Sequence, residues 1–183
     1  MIQRLQSFLL VLAAVGIVLM FMYPVATYIA PYNAPNGETI KVATSELNLF
    51  AKSNPDLLSQ IDNGGNIEVG QAETGFHSWP LIVLAGIIGI IALVSIFFYK
   101  NRVLQMRIVA IGGLLNVVYI ALVFLWAVDG YAKAMAHLVP GAEIHAAYSV
   151  GTWTPIATCL LLLFAQQRIK KDEEKVRAAD RLR

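Results

Sequence analysis

Long apolar runs alternate with polar connections along this chain. Four runs stand out: Leu5 to about Tyr28, Pro80 to Tyr99, about Ile108 to Val128, and about Val150 to Gln167. Each is near the ~20 residues that a helix rising about 1.5 Å per residue needs to cross a hydrocarbon core roughly 30 Å thick. The pattern predicts an all-α membrane protein, one integral domain over residues 1–183 with four transmembrane helices in an up-down bundle. The first run is longer than a signal-peptide core, and no small-x-small cleavage site follows it, so it reads as a retained anchor. Pro24 near its end is placed to kink it. The second run starts at a proline, which a first helical turn tolerates. Only the short basic stretch Lys100–Arg107 separates it from the third, so these two form an antiparallel hairpin. Trp79, Tyr99, Trp126, Tyr131, Tyr148 and Trp153 fall near run ends, where interfacial aromatic anchors belong.

The connections are of unequal size. Residues 29–79 open with Pro31, Pro35 and Asn36-Gly37, turn signals all. Thr39–Ala43 alternates weakly, and Asn63-Gly-Gly-Asn66 precedes Ile67-Glu-Val69, which together suggest a small β-hairpin over the outer helix ends. A mobile acidic loop is the alternative. In the connection 129–149, Asp129, Lys133 and His137 share a face if the third helix continues outward, and Pro140-Gly141 turns the chain back. The tail, 168–183, has no Gly or Pro and reads as a helix continuing the fourth run, with Glu173–Arg177 at i, i+4 and Asp180–Arg183 at i, i+3. Ile169, Val176, Ala179 and Leu182 make a thin apolar stripe along it, fit to contact a partner or the bases of neighbouring helices. A solvated helix over anionic head groups is the bland counterpart.

Charge decides orientation. Of fourteen Lys and Arg, eleven fall on the side that holds both termini, with four acidic residues; the opposite side carries three basic and eight acidic residues. By the positive-inside rule the basic side is the cytoplasm, so both ends are inside. Composition agrees: 57% of residues are hydrophobic and 14% charged, against roughly 25% charged in soluble domains. Cys159 is the only cysteine, so intramolecular disulfides and paired-thiol reductase chemistry are excluded.

Candidate chemistry is sparse. Asn116 is the clearest mid-membrane polar residue and needs amide partners, most simply across a helix contact. Gly89 (with Ala85), Gly112 and Gly113 offer small surfaces for close helix approach, as do Ala13, Ala14 and Gly16. Thr152, Thr154 and Thr158 surround Pro155 and can bond carbonyls that a proline leaves unpaired. No charged residue or histidine lies well inside a run, which argues against coupled transport. His137, Glu143 and His145, with His77 also near the outer interface, are the best candidates for a metal, haem or catalytic cluster, although isolated interfacial histidines fit the spacing better. No phosphate-binding, nucleophile-elbow or zinc-protease motif is present. No cofactor and no nucleic-acid partner is indicated.

The opening Met1-Ile-Gln-Arg-Leu-Gln6, the connection Phe97-Phe-Tyr-Lys-Asn-Arg-Val-Leu-Gln-Met-Arg107, and the tail Arg168-Ile-Lys-Lys-Asp-Glu-Glu-Lys-Val-Arg-Ala-Ala-Asp-Arg-Leu-Arg183 resemble domain-of-unknown-function family 4293. Its members look like short four-span bacterial membrane proteins. The resemblance implies an inner-membrane location and cytoplasmic placement of these segments, and it carries no activity.

The expectation is a non-enzymatic accessory or scaffold component of a membrane complex. The lipid bilayer is one partner, and a protein partner or self-association acts through the helices or the tail residues Asp172, Glu173, Arg177, Asp180, Arg181 and Arg183. A small-molecule transporter or sensor is the alternative, and an outer-leaflet enzyme a further one.

Overall fold

The computed structural model describes the backbone of residues 2–33, 39–48, 56–59, 68–71, 77–138 and 143–181, and the side chains of 6–31, 44–48, 77–137 and 143–178. Helix α1 spans Ile2–Met22, followed by strands β1 (Ala26–Asn33), β2 (Thr39–Leu47), β3 (Asp56–Ser59) and β4 (Glu68–Gln71). Then come α2 (Trp79–Phe97), α3 (Arg102–Leu122), a π-helical turn (Val123–Val128), α4 (Asp129–Leu138), β5 (His145–Tyr148) and α5 (Val150–Arg181). The fold is mostly helical. The chain divides into two compact units, Met1–Leu19 with Leu81–Ala121 and Trp153–Arg183, and Met20–Pro80 with Leu122–Thr152.

The first unit is helical. Its buried positions recur at steps of three and four: Gln6, Leu10, Ala13 and Ile17 on α1; Leu81, Ala85, Ile88, Ala92 and Ser95 on α2; Leu162, Ala165, Ile169 and Asp172 on α5. Such spacing keeps one narrow stripe on one helix face and lets neighbouring helices pack at small crossing angles. The remaining faces are also apolar and open, among them Phe8, Val11, Val15, Ile90, Leu114, Val117 and Phe164. A helix apolar all round belongs in a membrane or a large core. Among the described residues two helices are long and apolar enough to cross a membrane, Trp79–Phe97 and the continuous run Arg102–His137, and only 28% of each apolar window is buried. That low share disfavours a soluble core. Gln6–Met22 is a shorter apolar helix.

The second unit is built on a sheet. All strand pairs are antiparallel, in the order β4-β3-β2-β1-β5. The β1–β2 register shifts between Ala30 and Pro31, as expected where proline removes a ladder donor. Ala26, Tyr28 and Ala30 on one face of β1 are buried, as are Tyr131 and Met135 of α4.

Several expectations change. The first helix ends at Met22, so Pro24 terminates it rather than kinking it, and Tyr28 lies in a strand. The hairpin expected in 29–79 is part of a five-stranded sheet that starts at Ala26 and takes its last strand from the connection after α4. The third helix does continue past Val128, through the π turn into α4, and Lys133 Nζ sits 2.7 Å from Asp129 Oδ2. The turn signals Pro35, Asn36-Gly37, Asn63-Gly-Gly-Asn66 and Pro140-Gly141 lie outside the described residues. Tyr131, taken for an interfacial anchor, is fully buried, whereas Trp79, Tyr99, Trp126, Tyr148 and Trp153 are exposed.

Candidate functional site

The tail helix is fixed at its base. Asp172 is buried on the stripe of α5, and the Gln6 side-chain amide donates to its carboxylate. Arg102 Nη1 donates to the Asp172 backbone carbonyl at 3.0 Å. Arg102 is placed by the start of α3: Asn101 Oδ1 accepts from the Leu104 amide at 3.2 Å and the Asn101 carbonyl from the Gln105 amide at 2.9 Å, a side-chain cap with the first helical bond. One turn on, Gln105 is buried, and its Oε1 has no hydrogen-bond partner among the described residues. Beyond this base, Lys170, Lys171, Glu174, Lys175, Val176 and Arg177 are exposed, and Arg177 Nε donates to Glu173 Oε1 at 2.9 Å.

Of the tail residues named from sequence, Asp172 therefore faces inward. Glu173 and Arg177 pair with each other on the surface. Asp180 and Arg181 lie in α5 with side chains outside the described set, as Arg183 is altogether.

Higher in the same unit, Asn116 Nδ2 donates to the Pro155 carbonyl at 2.8 Å, joining α3 to α5. Asn116 Oδ1 and Thr158 Oγ1 are buried without partners among the described residues. The glycines differ. A Cβ on Gly112 would lie 2.9 Å from Ile91 Cγ2, too close to fit unshifted; one on Gly89 would meet Ile17 at an ordinary 3.6 Å; one on Gly113 would meet nothing within 4 Å. Only Gly112 of these three is required for close approach. Thr158 makes no proline-related bond, and Thr152 bonds elsewhere, as follows.

In the sheet unit the bend after α1 is gripped by the start of α5. The Pro24 carbonyl accepts from the Gly151 amide at 3.0 Å, and the Val25 carbonyl accepts from the Ser149 amide at 3.0 Å and from the Thr152 hydroxyl in a short bond. The Val25 amide donates to the Leu47 carbonyl at 2.8 Å. A Cβ on Gly151 would lie 2.5 and 2.6 Å from the Pro24 and Tyr23 carbonyl oxygens, so only glycine fits. Nearby, the Tyr28 and Tyr131 rings pack tilted at 50°, 4.8 Å between ring centres. The Tyr28 hydroxyl donates to the Val128 carbonyl at 2.9 Å, at the end of the π turn, and the Tyr131 and Ser45 hydroxyls share a short hydrogen bond. Burial, reinforced by Tyr131, Tyr148 and Asp129, holds the Tyr28 hydroxyl far above the ordinary phenol range, so it remains a donor.

The histidines are not drawn together. His137 lies in the last turn of α4, Glu143 precedes β5 and His145 begins it opposite Ile29; with His77 all are exposed. Among the described residues no group of three or more His, Cys, Asp or Glu side chains is placed to hold a metal.

Sequence reasoning missed Gln6, Gln105, Gly151 and the tyrosine pair. Gln6 and Gln105 had a usable signal. Each lies four residues before the first apolar stripe position of its helix, so extending the three-and-four spacing back to the helix start finds them, and extending it forward along α5 finds Asp172.

The family described as "Domain of unknown function (DUF4293)" matches residues 2–182, and the chain belongs to it. No curated protein matches the chain.

Proposed function

Starting from membership of a family with no assigned activity, we propose that the chain is a multi-pass protein of the bacterial inner membrane, with four spans and both termini cytoplasmic. In this reading it is a non-enzymatic accessory or scaffold component of a membrane complex. The charge asymmetry and the open apolar faces of α1, α2, α3 and α5 support the placement. One observation carries the functional part. The polar end of α5 is tied to its unit through Asp172, Gln6 and Arg102, while its outer face of Lys171, Glu174, Lys175 and Arg177 stays open. A charged helix held rigid by a buried contact loses little further freedom on meeting a partner, so more of the contact energy remains for binding.

The test is co-purification after gentle detergent extraction. Replacing Lys171, Glu174 and Arg177 together by Ala is expected to strip associated proteins while leaving the amount of inserted chain unchanged. Unchanged recovery of partners, or no partners with the original chain, rejects the reading.

A second reading, a small-molecule transporter or sensor, is favoured by Asn116 Oδ1, a buried acceptor without a partner among the described residues that a polar solute could fill. A metabolite panel that shifts the melting temperature of the original chain but not of Asn116→Leu would select it.

A further inference from the structure

One side of α5 is left open along most of its length. Trp153, Leu160 and Phe164 are exposed there, and further along so are Arg168, Lys171 and Lys175. At about 100° per residue, all six fall within a sector roughly 80° wide. Neighbouring helices reach α5 at Pro155, Thr158 and Asp172, none of which lies in that sector. It is therefore the side that faces away from the rest of the helical unit.

The sector changes character within about one turn. Phe164 and Arg168 are four residues apart, about 6 Å along the axis. Before that step the face is apolar, and after it the face is cationic. No Asp or Glu falls within the sector, and among the described residues no carboxylate pairs with its three cations. Arg177, on another side of the same helix, is different, because Glu173 accepts from its Nε. Placing positive residues on the cytoplasmic side requires only their number. It does not require them to be gathered, unpaired, directly beyond an exposed apolar strip.

That arrangement has the shape of an amphiphile laid along the helix. An acyl chain covers Leu160 and Phe164, and a phosphate meets Arg168 and Lys171. The headgroup layer is about 5–7 Å deep on each side of the hydrocarbon core, which takes in Arg168 and Lys171. The long stem of Lys175 can fold back toward the same layer. A zwitterionic headgroup carries its own cation against its phosphate, so three free cations favour a headgroup with net negative charge.

We propose that this face of α5 binds an anionic glycerophospholipid, its acyl chains along Leu160 and Phe164 and its phosphate held by Arg168, Lys171 and Lys175. The site rests on the membrane placement proposed above and goes beyond the accessory role.

The test uses the purified full chain in phosphatidylcholine vesicles containing a minor share of phosphatidylglycerol. After gentle detergent extraction, the lipid that stays with the chain is measured. Phosphatidylglycerol is expected to be enriched roughly tenfold over its share in the vesicle. Arg168→Gln with Lys175→Gln lowers the enrichment at least about fivefold, since each cation near an anionic surface contributes a factor of about five. Arg168→Lys with Lys175→Arg keeps it. Lys170→Gln with Arg177→Gln removes the same charge from other sides of the helix and leaves it near the original value. Equal losses from the two glutamine pairs mean diffuse attraction to the whole tail and overturn the site, as does no enrichment with the original chain. An alkaline wash separates this failure from that of the membrane placement. A chain stripped from the vesicles removes the placement and the site with it, whereas a retained chain without enrichment removes the site alone. No partner protein is present in these vesicles, so the accessory role stands or falls by co-purification.

Discussion

The helical unit and the sheet unit handle buried polar groups in opposite ways. In the helical unit the backbone satisfies itself within each helix, and three polar side chains connect helices: Gln6 to Asp172, Arg102 to the Asp172 carbonyl, Asn116 to the Pro155 carbonyl. Three acceptors there, on Gln105, Asn116 and Thr158, go unpaired among the described residues. In the sheet unit the backbone of the bend needs outside partners, and the bonds described above converge on the carbonyls of Pro24 and Val25. Self-contained helices tolerate side-chain changes that remove an unpaired atom. A bend held by backbone bonds tolerates almost no added atom.

The sharpest way to break this comparison is at the glycines. Gly151→Ala places a methyl group against two carbonyl oxygens and is expected to cost about 3 kcal/mol, the upper range for overpacking. Gly113→Ala meets nothing and should stay within about 0.5 kcal/mol. Thermal unfolding in detergent compares the two directly, and equal effects would dissolve the contrast.

Next in size is Tyr28→Phe, which removes the buried hydroxyl's hydrogen bond to the Val128 carbonyl and should cost about 1.5 kcal/mol. The same hydroxyl sets a pH dependence. Its ionisation is displaced upward in the folded chain, so its stabilising effect is complete below about pH 10, the unfolded value. It is lost as pH rises from there toward the folded value, where the unfolded phenol gains the charge that burial forbids. The original chain should therefore destabilise more steeply above about pH 10 than Tyr28→Phe, and parallel curves would contradict this.

The smallest effects should come from the helical unit. Asp172→Ala strands the Gln6 amide and should cost about 1 kcal/mol. Gln105→Met removes an orphaned acceptor at similar volume and should be neutral or slightly stabilising. If Gln105→Met destabilised as much as Asp172→Ala, Gln105 would have a partner not accounted for above.

The same contrast explains what could be read from sequence. Helical stripes are local and periodic, so α2, α3 and the beginning of α5 follow from the spacing of apolar residues. The β1 segment Ala26–Ala30 is itself apolar and merged with the preceding run, because hydrophobicity alone does not separate a buried strand from the end of a helix. Strand β5, His-Ala-Ala-Tyr, carries no alternation to find. Tyr131 looked like an interfacial anchor because its neighbour Tyr28, about 100 residues away in sequence, is visible only in three dimensions. Gly151 has no sequence signature, since its necessity comes from carbonyls of residues 23 and 24.

Strand β1 also has a timetable. Its pairing with β2 can form soon after both have been synthesised, but its other edge is completed by β5, with Thr27 bonding to the Ala147 carbonyl across 120 positions. Until then β1 presents open backbone donors and acceptors, the condition that invites wrong strand partners. Contacts that close over such distances form late. The sheet is begun by the first connection and finished only when the chain has passed Ser149 and Gly151. Its N-terminal strand therefore spends most of synthesis incomplete and exposed to capture, which makes the arrival of β5 the step that commits this unit to its final pairing.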